Sequence, residues 1–86
     1  MSLADYLREK ENFLDYLLWD YQENYPFDAD GIVFGATEYT LPQFLDMVRN
    51  ENAVHHVVAN EICYTIYNYR EVQMEFRKYL SGRKKQ

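Results

Sequence analysis

Residues 3–24 read LADYLREKENFLDYLLWDYQEN and contain neither glycine nor proline. Large apolar side chains recur there at helical spacing, and at 100° per residue they lie within about 60° of one another. This stripe comprises Leu3, Leu7, Leu14, Leu18, Tyr21 and Tyr25. Asp5 lies three residues after Ser2, a spacing typical of a helix N-cap and its acidic partner. The stretch predicts one long amphipathic helix over residues 3–24.

A second long run without glycine or proline covers residues 53–80. An apolar stripe at helical spacing extends through it, formed by Val54, Val58, Ile62, Ile66, Tyr69, Val72, Phe76 and Leu80. The β-branched residues favour strands locally, but strands are only about 3–10 residues long, so the run predicts a helix over residues 53–80. Gly82 is a helix-stop signal. We expect residues 81–86 to form a frayed basic tail.

The segment between these runs contains the turn-forming residues. Pro26, Gly31 and Gly35 indicate a loop over residues 26–40. Within it, residues 32–34 form either a short strand or an apolar segment that lies on the core, and a weak hairpin over residues 32–40 results if residues 38–40 pair back with the strand. Thr40 is followed by Pro42 and Gln43, a capping-box pattern that predicts a short helix over residues 41–50. The sequence therefore predicts a single, mostly all-α domain over residues 1–86. In it, the long N-terminal helix lies antiparallel to the long C-terminal helix.

Charge and composition restrict the classes of function. The 86 residues carry a net charge of −5, and the charge is unevenly distributed. Residues 1–52 hold 11 acidic and 3 basic side chains, whereas residues 53–86 hold 3 and 6. An acidic half suits a basic partner and argues against direct binding of nucleic acid. The single cysteine cannot form an intramolecular disulfide, and no run approaches the about 20 apolar residues of a membrane span. We expect a cytoplasmic protein that does not enter membranes.

No motif in the sequence predicts a catalytic, metal or cofactor site. The string from Asp28 to Gly31 resembles the middle of an EF-hand loop, but Pro26 and Thr37 then occupy positions that need calcium-binding carboxylates. His55 and His56 are adjacent, so on a helix they point about 100° apart and cannot chelate one ion together. The sequence also lacks a phosphate-binding glycine loop and an activated nucleophile. We therefore expect a protein that is not an enzyme.

One face of the first predicted helix combines carboxylates with aromatic rings. Tyr16 and Trp19 lie there opposite the apolar stripe, a composition typical of an anchor for a protein partner. The candidate partner-binding residues are Glu9, Asn12, Asp15, Tyr16, Trp19, Asp20 and Glu23. In the alternative interpretation, the 26–40 loop folds over Trp19 and brings Phe27 or Phe34 against it.

The C-terminal run carries a second, thinner apolar stripe about 150° from the first. It consists of His56, Cys63, Tyr67 and Met74. A helix with two apolar faces is either central in its own domain or shared with another chain. The stripe therefore predicts either a homodimer contact or a surface that the other helices cover.

These features favour a non-enzymatic inhibitor or adaptor that binds a larger protein. Small, acidic, aromatic-rich helical chains of this composition include immunity proteins, antitoxins and phage-encoded anti-defence inhibitors. In this hypothesis the acidic face mimics nucleic acid and blocks a basic site on the partner. One alternative is a small dimeric nucleic-acid-binding regulator that uses the basic end from Arg77 to Lys85. The other is a structural subunit of an assembly.

Overall fold

A computed structural model describes residues 2–24 and 32–84 of the chain. Within them lie α1 (Leu3–Asn24), β1 (Ile32–Phe34), β2 (Thr37–Tyr39), α2 (Leu41–Arg49), α3 (His56–Tyr67) and α4 (Arg70–Lys84). The prediction of a mostly all-α fold is confirmed, and of the alternatives left open for residues 32–40 the hairpin is the one that forms. Among the described helices, none has both the length and the apolar character needed to cross a membrane.

The first helix begins where the sequence predicts. The Asp5 backbone N–H donates to Ser2 Oγ at 3.2 Å, and the Ser2 N–H donates back to the Asp5 carboxylate at 3.3 Å. Its predicted apolar stripe is partly wrong, because Leu3 and Leu7 are exposed whereas Tyr6 and Phe13 are fully buried. Aromatic rings can bury more apolar area than leucine side chains. The side of α1 that carries these rings therefore faces the core.

A hairpin precedes the short helix. Strand β1 pairs antiparallel with β2 in the register Ile32 to Tyr39, and Gly35 adopts a φ of +62° in the turn. A two-stranded hairpin is marginal alone, but the Phe34 ring stacks 5.2 Å from His55 and lies 6.2 Å from Phe44. His55 is itself in the left-handed region, which histidine tolerates better than most residues.

Helix α2 confirms the predicted capping box. The Gln43 N–H donates to Thr40 Oγ1 at 3.3 Å, and the Thr40 N–H donates to Gln43 Oε1 at 2.8 Å. Because each side chain satisfies the other residue's backbone donor, the helix start is fixed by local sequence. The helix ends at Arg49, one residue before the predicted end.

The predicted helix over residues 53–80 is wrong, because the run forms two helices that separate at Asn68 and Tyr69. The Asn68 side chain donates to the Tyr64 carbonyl at 3.0 Å, and Gln73 Nε2 donates to the Tyr67 carbonyl at 2.7 Å. The Tyr64 carbonyl also accepts the Asn68 backbone N–H at 3.2 Å, whereas the Tyr67 carbonyl lies at the break and is satisfied by the Gln73 side chain, so the break needs neither glycine nor proline. The second helix then continues to Lys84, into the segment where we expected a frayed tail.

The break also reverses which side of α3 meets the core. Ala59, Cys63 and Tyr67 are fully buried, whereas Val58 and Ile62 of the predicted main stripe are 47% and 37% exposed. The two predicted stripes assumed a single helix axis from residue 53 to residue 80. With the axis interrupted, α3 packs through its thinner stripe, and α4 packs through Phe76 of the main stripe.

The predicted antiparallel arrangement is also wrong. Tyr6 donates to Asn60 Oδ1 at 2.8 Å, Phe13 packs against Phe76, and Trp19 packs against Tyr79. The residue numbers rise together, so α1 runs in the same sense as the α3–α4 pair. The reason lies in α2, whose Arg49 contacts Glu11 in the first half of α1. The chain has therefore returned to the start of α1 before α3 begins.

A row of aromatic rings forms the centre of the contact that α1 makes with α3 and α4. Successive ring centroids along this row are 5.2 to 5.7 Å apart, at tilted or edge-on angles that aromatic pairs prefer. The row runs through Tyr6, Tyr67, Phe13, Phe76, Tyr16, Tyr79 and Trp19. It begins in the interior at Tyr6 and reaches the surface at Trp19, so it connects the core to the candidate site.

Candidate protein-binding surface on the first helix

Trp19 forms the exposed end of the aromatic row. Its side chain is 44% exposed, and its ring lies 5.2 Å from the Tyr79 ring and 6.4 Å from the Tyr16 ring. One side of the indole is therefore held by α4, while the other faces solvent. We call its surroundings the Trp19 face, which consists of Asn12, Asp15, Trp19, Asp20 and Glu23.

Tyr16 does not belong to this exposed surface. Helical-wheel placement put it on the solvent side, but its side chain is only 7% exposed. Its ring lies 5.7 Å from Phe76 and 5.5 Å from Tyr79, both on α4. Tyr16 therefore supports Trp19 from beneath.

Glu9 was also predicted on the binding surface, but it links α1 to the C-terminal helices. Its carboxylate accepts hydrogen bonds from both terminal nitrogens of Arg77, one of them at 2.7 Å, and from the Tyr67 hydroxyl. The Arg77 hydrogen bonds lower the pKa of Glu9, which is 16% exposed. Burial, followed by the bond to Glu9, raises the pKa of Tyr67 to about 12. This ionic contact joins α1, which carries Trp19, to α4, which carries Tyr79.

The remaining residues of the Trp19 face lie at the surface. Asn12, Asp15 and Glu23 are exposed, and Asp20 is half-buried. Asp15 lies 3.9 Å from Arg49, which also pairs with Glu11 at 3.2 Å. Arg49 also lies 3.9 Å from Asp46, so this one guanidinium lies near three carboxylates. The sequence prediction missed Arg49 and Tyr79, which a pattern within α1 cannot reveal.

The alternative in which the loop covers Trp19 is partly resolved. Phe34 lies against Phe44 and His55, and no ring contact joins it to Trp19. Phe27 and the EF-hand-like string from Asp28 to Gly31 fall outside the described residues.

The predicted dimer residues divide between the interior and the surface. Cys63 and Tyr67 are fully buried, and His56 Nδ1 lies 2.8 Å from the Met47 carbonyl oxygen. Burial raises the pKa of the Cys63 thiol to about 11. These three residues therefore pack within the chain, the alternative that the sequence left open, and only Met74 is exposed.

The basic end of the chain is partly neutralised. Arg77 binds Glu9, and Lys78 Nζ lies 3.3 Å from Glu75. Across residues 2–24 and 32–84, no cluster of three or more histidine, cysteine or acidic side chains has the geometry of a metal site. Comparison of the chain with known protein families, with curated proteins and with solved structures gave no match.

Proposed function

We propose that this chain is a non-enzymatic protein-binding domain whose Trp19 face docks on a larger, basic partner. The observation that carries the proposal is Trp19 itself, which is 44% exposed although its ring is held in place by Tyr79 and Tyr16. In the sharper form, the domain is a cytoplasmic inhibitor or adaptor of the immunity-protein, antitoxin or phage anti-defence class.

A fixed, exposed tryptophan suits a binding anchor. Tryptophan is enriched among the few interface residues that carry most of the binding energy. Ordering a mobile side chain on binding costs about 0.5–1.5 kcal/mol, and a ring that is already packed avoids much of that cost. The contacts with Tyr79 and Tyr16 supply this preorganisation in the free chain.

The surrounding charge indicates the chemistry of the partner. Asp15 and Glu23 lie one helical turn before and after Trp19, and both are exposed. Carboxylates around an apolar anchor attract a basic surface and raise its association rate. A protein surface that binds nucleic acid is basic. We therefore propose that the domain inhibits its partner by blocking such a site. The ion pair of Arg77 with Glu9 makes the alternative, direct nucleic-acid binding through the basic end, less favourable.

The test compares Trp19→Ala with wild type in capture experiments from the native host, followed by affinity measurement on the captured protein. We expect the variant to lose about 2 kcal/mol of binding, or about 30-fold in affinity. Charge reversal at Glu23 should mainly slow association and weaken its salt dependence.

Trp19→Ala also removes packing against Tyr79, so a control must lose stability without altering the Trp19 face. Leu41→Ala on α2 serves, because Leu41 is half-buried against the core. Binding is measured well below both melting transitions. A partner that binds Trp19→Ala and Leu41→Ala equally well would contradict the proposal.

A further inference from the structure

The exposed side of Trp19 can hold a cation. The indole is 44% exposed, and the Tyr79 and Tyr16 rings that contact it are tilted by 41° and 32°. Tryptophan is the aromatic side chain that attracts cations most strongly, because the face of its ring system is electron-rich. A cation within about 6 Å of the ring centre gains from this attraction. Trp19 can therefore bind a positively charged group of a partner as well as an apolar one.

The charges around Trp19 favour a cation as the group that binds there. Glu23 lies one helical turn after Trp19 on the same side of α1, and its side chain is exposed. Within the part of the chain that the structure describes, its carboxylate has no salt-bridge partner. Helix α1 also has no basic residue in its last turn, although the carbonyl groups at a helix C-terminus favour a cation. The end of α1 thus offers an indole and a carboxylate to a cation that the helix itself does not supply.

The chain binds one of its own arginines with the same two kinds of group. The Arg77 guanidinium lies 5.2 Å from the centre of the Phe76 ring, and Arg77 Nη2 donates to the Glu9 carboxylate at 2.7 Å. The other terminal nitrogen of Arg77 donates to the second oxygen of the same carboxylate. A planar guanidinium can lie against a ring and donate to both carboxylate oxygens, whereas the ammonium of lysine is a compact charge without that fork. The combination of ring and carboxylate therefore favours arginine over lysine.

We propose that the Trp19 face binds an arginine side chain of the partner, with the guanidinium on the exposed side of the indole and its nitrogens donating to Glu23. This inference rests on the proposed function, and it narrows the basic partner to one that presents arginine at the contact. Asp15, one turn before Trp19, lies 3.9 Å from Arg49, so its charge is already shared within the chain. Glu23, which also steers association, is therefore the carboxylate that pairs with the incoming arginine.

Capped hexa-arginine and hexa-lysine peptides, which carry equal charge, test this preference on the full chain. Trp19 is the only tryptophan in the sequence, so its fluorescence reports binding at the site, and NMR titration of the isotope-labelled chain gives the affinities of the variants. At low salt we expect hexa-arginine to bind with a dissociation constant on the order of 1 mM or below. It should bind about threefold to fivefold more tightly than hexa-lysine, as expected for a cation on an exposed ring.

Variants of the Trp19 face locate the preference. Trp19→Leu should abolish it, and Trp19→Phe should reduce it, because phenylalanine attracts cations less strongly than tryptophan. Glu23→Gln should weaken the binding of hexa-arginine more than that of hexa-lysine. The matched control is Glu61→Gln, the same change at an exposed residue of α3, which should leave the ratio of the two affinities unchanged. Trp19→Phe keeps a ring against Tyr79, so it serves if thermal melting shows that Trp19→Leu does not fold.

Several outcomes overturn the inference. They are equal affinity of wild type for the two peptides, a preference that is unchanged in the Trp19 and Glu23 variants, and no binding of hexa-arginine at about 5 mM. If Trp19→Ala still loses the captured partner, these outcomes leave the proposed function standing. A captured partner that binds Trp19→Ala with full affinity instead removes the proposed function, whatever the peptides show.

Discussion

Replacing Tyr67 by phenylalanine isolates the ionic contact that joins α1 to the C-terminal helices. The phenylalanine ring keeps the aromatic packing with Phe13 and Phe76 and removes only the hydroxyl that donates to Glu9. Hydrogen bonds to charged groups contribute about 1.5–3 kcal/mol to stability. Glu9 keeps Arg77 and is 16% exposed, so water offsets part of the loss. We therefore expect about 1.5 kcal/mol, at the low end of that range.

Thermal and urea unfolding measure this loss. For a domain of this size, about 1.5 kcal/mol corresponds to a fall of about 6–12 °C in Tm. The urea midpoint should fall while the slope of the free energy of unfolding with urea stays constant, because the surface exposed on unfolding is unchanged. Tyr64→Phe is the control, since no hydrogen bond of its hydroxyl occurs among the described residues; its effect should stay within about 0.5 kcal/mol.

The pH dependence identifies Glu9 as the acceptor. Its pKa is lowered in the folded chain, so its contribution to stability is complete above the unfolded value of about 4.3 and is lost as the pH falls through the folded value. Wild type and Tyr67→Phe should therefore converge in acid. Tyr67, with its pKa raised to about 12, adds stability that is complete below about 10 and is lost as the pH rises toward 12. A loss under about 0.5 kcal/mol at pH 7, or a difference that persists unchanged in acid, would refute the reasoning.

Two further predictions concern α3 and α4. Cys63 should resist thiol reagents at pH 8 in the folded chain and react promptly in urea, because its side chain is fully buried and burial raises its pKa to about 11. Rapid labelling of the native chain would show that α3 presents the opposite face. Phe76→Ala should cost about 3–5 kcal/mol in chemical unfolding, as for a fully buried ring. Ile62→Ala should cost only about 1 kcal/mol, since part of its side chain is already in water. If Ile62→Ala and Phe76→Ala cost the same stability, both side chains face the core, as the single predicted stripe required.

Local signals in the sequence predicted the starts of α1 and α2. Ser2 with Asp5, and Thr40 with Gln43, each satisfy backbone donors within one turn, so no distant residue is needed to interpret them. The hairpin was left open as one of the alternatives because its stability depends on Phe34 packing against other elements. The two helix starts follow from interactions that act over a few residues, whereas the hairpin depends on contacts with more distant ones.

Which side of each helix faces the core depends on residues that are distant in the sequence. The break at Asn68 involves its own amide and that of Gln73, and neither residue type by itself ends a helix as proline does. Because the sequence shows no interruption there, one periodic stripe was extended across two helices with different axes. The assignment of Ile62 to the core failed for this reason.

The candidate site was predictable only in part. The presence of Trp19 among carboxylates could be seen from helical spacing alone, and its exposure agrees with the solvent-facing alternative. Tyr16 and Glu9 were misplaced because their partners, Tyr79 and Arg77, belong to α4. Whether the Trp19 face binds a partner stays a prediction.

The packing of α1 against α4, the last helix to be made, has a consequence for synthesis on the ribosome. Tyr6 and Phe13 leave the ribosome early, but the rings that cover them include Tyr67 and Phe76, and Tyr79 completes the row. At about 5–20 residues per second, the interval between the completion of α1 and the arrival of Tyr79 is about 3–11 s. During that interval α1 is an aromatic helix without its native cover, so nascent chains should bind chaperones through its Tyr6–Phe13 side.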